Sequence, residues 1–206
     1  MQSVASETIL QVLDEQFALG GDLRELPGYV DQNLRLTTDK GEDFVVKIMS
    51  ADPAVLQAQN QVMSGLAERG FPVPRVVPNK AGDGNTKVLT EAGGARTLRV
   101  LSYLQGRFYA DVAAADQGEA LWRDFGRLLG GLDVALRDFE YPAADAIHGW
   151  DLAHGYVVCT GLLEHLNGEQ SALVSHFLEY YRLNVLPLLG QLPRSLIHND
   201  ANDHNV

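Results

Sequence analysis

The sequence predicts an α+β fold built in two lobes. Segments with strand patterning crowd the first hundred residues, and segments with helical patterning fill the remainder. Runs of strands followed by runs of helices, in place of regular alternation, mark α+β organisation. The character changes at Gly106. The lobes are therefore placed at residues 1–101 and 107–206, joined by a hinge at residues 102–106.

Each element has its own signal. In "SETILQVLDEQFALGG" the apolar residues Ile9, Leu10, Leu13 and Phe17 recur at helical spacing, and Gly20-Gly21 predicts the stop. "LRELPGYVDQNLRL" holds a turn between two strands. "NLRLTT" and "FVVKIM" flank "DKGED", which reads as a hairpin. In "DPAVLQAQNQVMSGLAERG", Asp52 is placed to cap a helix, Pro53 suits its first turn, and Gly70 closes it. "FPVPRVVPNKAGDGNTKVLTEAGGARTLRVLSYLQG" returns to two strands, turning at "AGDGN". Beyond Gly106, "DQGEALWRDFGRLLGGLDVALRDF", "LAHGYVVCTGLLEHLN" and "EQSALVSHFLEYYRLNVLPLLGQL" read as helices. "RSLIHND" reads as a short strand entering a loop.

Composition narrows the function classes. Sixteen Lys and Arg stand against 27 Asp and Glu, a formal charge of −11 with no basic stripe, which argues against a nucleic-acid partner or an anionic membrane surface. An acidic surface suits a cationic small substrate and also aids solubility. A single cysteine, Cys159, rules out an internal disulfide and a cysteine-based zinc site, and it reads as a small core residue. The N-terminus has no signal-peptide pattern and no apolar run reaches membrane-spanning length, so the chain reads as cytoplasmic.

Neither G-x-x-x-x-G-K-[ST] nor G-x-G-x-x-G occurs, and H-E-x-x-H and G-x-S-x-G are also absent. What stands out is "IHNDANDHNV". His198, Asp200 and Asn205 fit H-x-D-x-x-x-x-N, the catalytic-loop pattern of protein-kinase-like phosphotransferases. Such an aspartate accepts a hydroxyl proton from the substrate, and such an asparagine offers a carbonyl to magnesium. The histidine holds the loop in shape. A polar turn, or a metal site of His198, Asp200, Asp203 and His204, fits the same residues.

Upstream order decides among these. Lys47 lies in the alternating apolar strand "FVVKIM", where a buried ammonium needs an anion such as the α and β phosphates of ATP. Before it, "LPGYVDQN" brings Gly28, Asp31 and Asn33, with backbone donors, close to where a phosphate would lie. After it, "RVLSYLQG" forms a hinge in which Ser102, Tyr103 and Leu104 present backbone groups to adenine. Loop, strand lysine, helix, hinge, helical lobe and H-x-D-x-x-x-x-N follow in one order over about 160 residues.

With these motifs the sequence resembles the aminoglycoside phosphotransferase and choline kinase superfamily. It is closer to the hydroxylysine kinase-like branch, which includes kinase domains fused to class III aminotransferases. "LPGYVDQNLRL", "FVVKI", "LQAQNQVMSGLAERGFPVPRV", "RVLSYLQG", "LGGLDVALRDFEYPAADAIHGWDL" and "IHNDANDHNV" carry the likeness. It implies a protein-kinase-like fold, with an antiparallel-sheet N-lobe containing one main helix and a helical C-lobe. It also implies ATP- and Mg2+-dependent transfer of the γ-phosphoryl group to a hydroxyl of a small, amine-bearing molecule. Asp200 would be the base, Asn205 the metal ligand and Lys47 the phosphate-binding lysine. Hydroxylysine, an amino sugar, choline-like alcohols and homoserine are all open as acceptors.

Two departures qualify the resemblance. The helix that should supply an acid to Lys47 offers Gln57, Gln59 and Asn60 instead. The family pattern continues past Asn205 to a strand and a second metal-ligating aspartate, whereas here only Val206 follows. The expectation is a chain truncated within the catalytic loop, a fragment of a longer multidomain protein, inactive as it stands and prone to self-association through uncovered apolar faces. The alternative function is a kinase-like module that binds a nucleotide or a partner without catalysis. His148, His154, His165, His176 and Trp150 read as packing or surface residues, with an aromatic or acidic contact to a cationic substrate possible at Trp150 and Asp151.

Overall fold

The computed structural model describes residues 3–139 and 150–205; His148 lies outside them. Helix α1 (Ser6–Phe17) precedes strands β1 (Gly21–Leu26), β2 (Gln32–Thr38) and β3 (Asp43–Met49). Helix α2 (Pro53–Glu68) follows, then β4 (Val76–Val77), β5 (Thr86–Leu89) and β6 (Ala95–Ser102). The second half carries α3 (Glu119–Leu136), α4 (Gly155–Gly161), α5 (Gly168–Asn184) and α6 (Leu186–Leu189). All strand pairs are antiparallel, in the order β1-β2-β3-β6-β4, with β5 also pairing β6. The architecture is α+β.

Alternation divides the sheet into two faces. Leu34 and Leu36 of β2, Val46 and Ile48 of β3, and Leu98 and Val100 of β6 are buried against Ile9 and Leu13 of α1. Each such side chain contributes roughly 2 kcal/mol through burial. Because successive residues point to opposite faces, Asn33, Arg35, Val45, Lys47 and Arg99 all project from the other side. That second face holds the candidate site.

The predicted start of α2 is present. Asp52 caps it by accepting a hydrogen bond from the Ala54 amide at 2.7 Å, Pro53 occupies the first turn, and Gly70 follows at φ 84°. The C-terminal half of α2 meets the helical region. Leu66 packs with Leu132 and Leu136 of α3, flanked by Val62, Phe71, Val73 and Leu196. A Cβ on Gly65 would lie 2.8 Å from the tip of the Phe139 ring, so a larger residue there would make the ring shift.

Several expectations need correction. The stop of α1 is Ala18, left-handed at φ 56°, rather than Gly20; Gly21 instead opens β1. Three strands, not two, follow α2, because the stretch after "AGDGN" turns back at residues 90–94 and splits into β5 and β6. The strand before "AGDGN", β4, is held to two residues because Pro74 and Pro78 flank it and cannot donate to a ladder. The last predicted long helix is broken at Val185 into α5 and α6, since Pro187 lacks the amide that would continue the turn. Residues 194–200 form no strand; Asn199 turns to φ 62°, and no described strand lies alongside to pair with them. Cys159 is exposed rather than in the core. None of the described residues of α4, α5 and α6 is fully buried, and Leu173, Phe177, Tyr180 and Leu183 of α5 are exposed. Among the described residues no helix is long and apolar enough to cross a membrane.

Candidate functional site

The strand register sets three polar residues in one row on the open face. Asn33 of β2 lies opposite Lys47 of β3, which lies opposite Arg99 of β6. Directly opposed residues share a face and their side chains interact. The Lys47 ammonium meets the Asp31 carboxylate at 3.2 Å, with both side chains a little under a third exposed. Thus Asp31 lies in the loop before β2, as the sequence suggested, but its carboxylate engages the strand lysine.

The same loop is folded tightly onto Asn33. Asn33 Nδ2 donates to the Pro27 carbonyl at 3.0 Å. A Cβ on Gly28 would lie 2.4 Å from the Asp31 carbonyl oxygen and 2.7 Å from Asn33 Nδ2, so only glycine permits the approach. Asn33 Oδ1 is buried and has no hydrogen-bond partner.

Arg99 was not anticipated from the sequence. It is 5% exposed. Its Nη1 donates to Asn60 Oδ1 at 2.9 Å and to Gln59 Oε1 at 3.3 Å, and its Nη2 lies 3.6 Å from Met49 Sδ. The Arg99 Nε is buried without a partner. Two of the three helix amides expected to face Lys47, Gln59 and Asn60, are therefore bound to its cross-strand neighbour. A buried orphan donor or acceptor costs about 1–3 kcal/mol. Of the two, the Arg99 donor beside the Lys47 ammonium gives this face the positive character that suits an anionic ligand, whereas the Asn33 oxygen, an acceptor, does not.

At the other end of this face lies the segment after β6. The Ser102 amide donates to the Arg75 carbonyl at 2.8 Å, and its Oγ accepts from the Arg75 amide at 2.9 Å. The Tyr103 amide donates to the Asp43 carbonyl at 3.3 Å. Of the three predicted hinge residues, Leu104 alone keeps its amide free of protein partners. Tyr103 lies over the Arg35 guanidinium, 4.5 Å from ring centroid to Cζ. Arg35 grips Asp43 with two hydrogen bonds, at 2.9 and 2.5 Å, and the Thr37 hydroxyl adds a third at 2.7 Å. Arg35 first, and Thr37 second, hold the Asp43 carboxyl down at about 2.

The third cluster is the loop at 198–205. The Asp200 amide donates to His198 Nδ1 at 3.3 Å, which requires the imidazole proton on Nε2. Both carboxylate oxygens of Asp200 accept side-chain amides: Oδ1 from Asn202 at 2.7 Å, Oδ2 from Asn205 at 2.7 Å. Asn205 Nδ2 also reaches the Asp200 carbonyl at 2.9 Å. The Asn205 side-chain nitrogen is thus committed to Asp200, and its carbonyl oxygen is the atom that could face a cation. The Asp203 carbonyl accepts from the Ala110 amide at 2.8 Å, tying the loop to the segment just past the hinge. The described residues contain no group of three or more His, Cys, Asp or Glu able to hold a metal, so the metal-site alternative of His198, Asp200, Asp203 and His204 is not assembled among them.

Sequence reasoning missed Arg99, Arg35, Asp43 and Asn202. Arg99 carried the same signal as Lys47, a cation inside an alternating apolar strand. Asn202 was visible as an amide two residues after the aspartate. The Arg35–Asp43 pair depends on hairpin register and had no separate signal.

The description "phosphotransferase enzyme family" belongs to the family model that matches residues 22–206. Hydroxylysine kinase of Mus musculus is 30% identical over 208 residues, covering 89% of this chain and 53% of the relative. Its counterpart from Danio rerio is 29% identical over 196 residues, covering 89% and 54%. The chain thus spans about half the length of the curated relatives it matches. Among solved structures, a microcompartment-associated aminopropanol kinase superposes with a TM-score of 0.73 at 17% identity, covering 98% of this chain and 64% of that one. An amicoumacin kinase in complex with AMP-PNP, Ca2+ and Ami gives 0.66 at 17% identity, covering 95% and 55%. These two likenesses show a fold shared with small-molecule kinases.

Proposed function

The chain belongs to the phosphotransferase enzyme family, and from that premise we propose that it is a phosphotransferase domain which, in the whole protein, transfers the γ-phosphoryl group of ATP to a hydroxyl of a small, amine-bearing molecule. The observation that carries this reading is the Asp200 loop, a carboxylate held at both oxygens by Asn202 and Asn205. Residues 1–101 serve as the nucleotide lobe, 102–106 as the hinge, and 107–206 supply the catalytic loop. The acceptor class is supported by the acidic charge of the chain and by the names of its relatives, hydroxylysine kinase and aminopropanol kinase.

Each residue has a separate task. Lys47 binds the phosphates, exchanging Asp31 for phosphate oxygens. Gly28 and Asn33 keep the loop before β2 close to the phosphates. The Leu104 amide meets the adenine edge, with Ser102 and Tyr103 fixing the hinge. Asp200 orients the acceptor hydroxyl and takes its proton as the oxygen bonds to the γ-phosphorus; the bond to the β–γ bridging oxygen breaks and ADP departs. His198 shapes the turn that presents Asp200. Asn205 Oδ1 would ligate Mg2+, which supplies charge neutralisation for the phosphates when bound.

The test is calorimetric titration with ATP and Mg2+. Lys47→Ala should weaken binding about tenfold or more, the scale of a lost charge-assisted contact. Asp200→Asn should bind ATP within about threefold of the parent, since its role lies with the acceptor. Unchanged binding in Lys47→Ala would remove the nucleotide reading.

A further inference from the structure

We propose that Arg99 is a positioning charge that makes the open sheet face discriminate nucleotides by the length of their phosphate chain, acting from beside Lys47 rather than touching the ligand. The proposal rests on the nucleotide reading above and names the residue that sets its selectivity.

Four observations converge on it. First, Arg99 is 95% buried, yet every contact it makes is neutral: Asn60, Gln59 and the Met49 sulfur. A guanidinium does not shed its charge at neutral pH, and a buried cation without a carboxylate contact is costly. Burial pushes its pKa down from the ordinary value, opposed by the charge of Asp31. Second, it stands directly across the ladder from Lys47, where like charges destabilise a sheet. Third, the Asp31 carboxylate is in contact with Lys47 and acts on Arg99 only through its charge, without contact. Two cations against one anion leave an excess positive charge beneath the open face. Fourth, Gln59 and Asn60 of α2 brace Arg99, and Asn60 is itself held by donating to Asn85 Oδ1 at 3.1 Å.

The arrangement ties β6 to α2 through neutral partners, yet it breaks a local rule by setting two cations side by side in one ladder. Such violations are expected at functional sites. A ligand recovers the cost in proportion to the negative charge it brings, because the interaction is Coulombic and weakly screened near a buried group. Triphosphate, diphosphate and monophosphate should therefore separate, while an uncharged nucleoside should not respond to Arg99.

The experiment is titration of the chain with ATP, ADP, AMP and adenosine, beside Arg99→Met and Arg99→Lys. The methionine variant should bind ATP about tenfold more weakly, ADP less so, and adenosine unchanged. The lysine variant, which keeps the charge, should retain most of the discrimination. Should Arg99→Met fail to fold, Arg99→Gln, neutral yet able to bond Asn60, reads the same ratios. Equal losses for ATP and adenosine, or no loss for ATP, would overturn the proposal. Lys47-dependent ATP binding that ignores Arg99 would overturn this inference alone. A parent chain that binds no nucleotide would overturn the underlying reading together with it.

Discussion

Replacing Asp31 by asparagine should strengthen nucleotide binding. Asp31 holds the Lys47 ammonium at 3.2 Å, so phosphate and carboxylate compete for one cation. At that distance the gross attraction is about 5 kcal/mol with an effective dielectric of 20. Solvent reaches both side chains, and pairs of this exposure are worth roughly 0.2–1 kcal/mol once desolvation and entropy are counted. Releasing the lysine should therefore raise ATP affinity by about 1.4- to 5-fold. Titration calorimetry on Asp31→Asn reads this directly, and thermal unfolding should show a stability change no larger than about 1 kcal/mol. In a Lys47→Ala background the same substitution should lose most of its benefit, which a double-mutant cycle isolates. If Asp31→Asn instead binds ATP as poorly as Lys47→Ala, the carboxylate aims the lysine at its ligand and the competition argument fails.

Acid should act on the hairpin. The Asp43 carboxyl is held at about 2 by Arg35 and Thr37, below the roughly 3.9 of an unfolded aspartate. Its contribution is fully present above about pH 4 and is lost as pH falls through about 2. Asp43→Asn should flatten the stability profile in that window, and an unaltered acid profile by circular dichroism would contradict the pairing. At the end of α1, Ala18→Gly should raise the melting temperature by about 2 °C, because a left-handed alanine carries strain that glycine avoids. A lower melting temperature would mean that the Ala18 methyl contributes more than its strain costs.

Local rules carried much of the fold. The cap at Asp52, the hairpin at "DKGED" and the apolar alternation of β2 and β3 depend on neighbours within a few residues, so the sequence displays them directly. Lys47 was legible because a cation interrupts that alternation. Its partner was not, because Asp31 reaches it through the conformation of a loop that no periodicity specifies. Arg99 needed the ladder register before its position opposite Lys47 acquired meaning. The short β4 and the break at Val185 had visible causes in Pro74, Pro78 and Pro187, but the apolar residues around them masked those causes in the sequence. The segment 194–200 had the composition of a strand, but a strand exists only where a neighbour offers hydrogen bonds.

The most direct test of the central claim is phosphoryl transfer from ATP to hydroxylated amines, measured in the whole protein with and without Asp200→Asn. Transfer in the parent that falls by about 1000-fold or more in the variant, with ATP binding retained, is the predicted result. Transfer that survives the substitution would remove Asp200 from the chemistry and contradict the account.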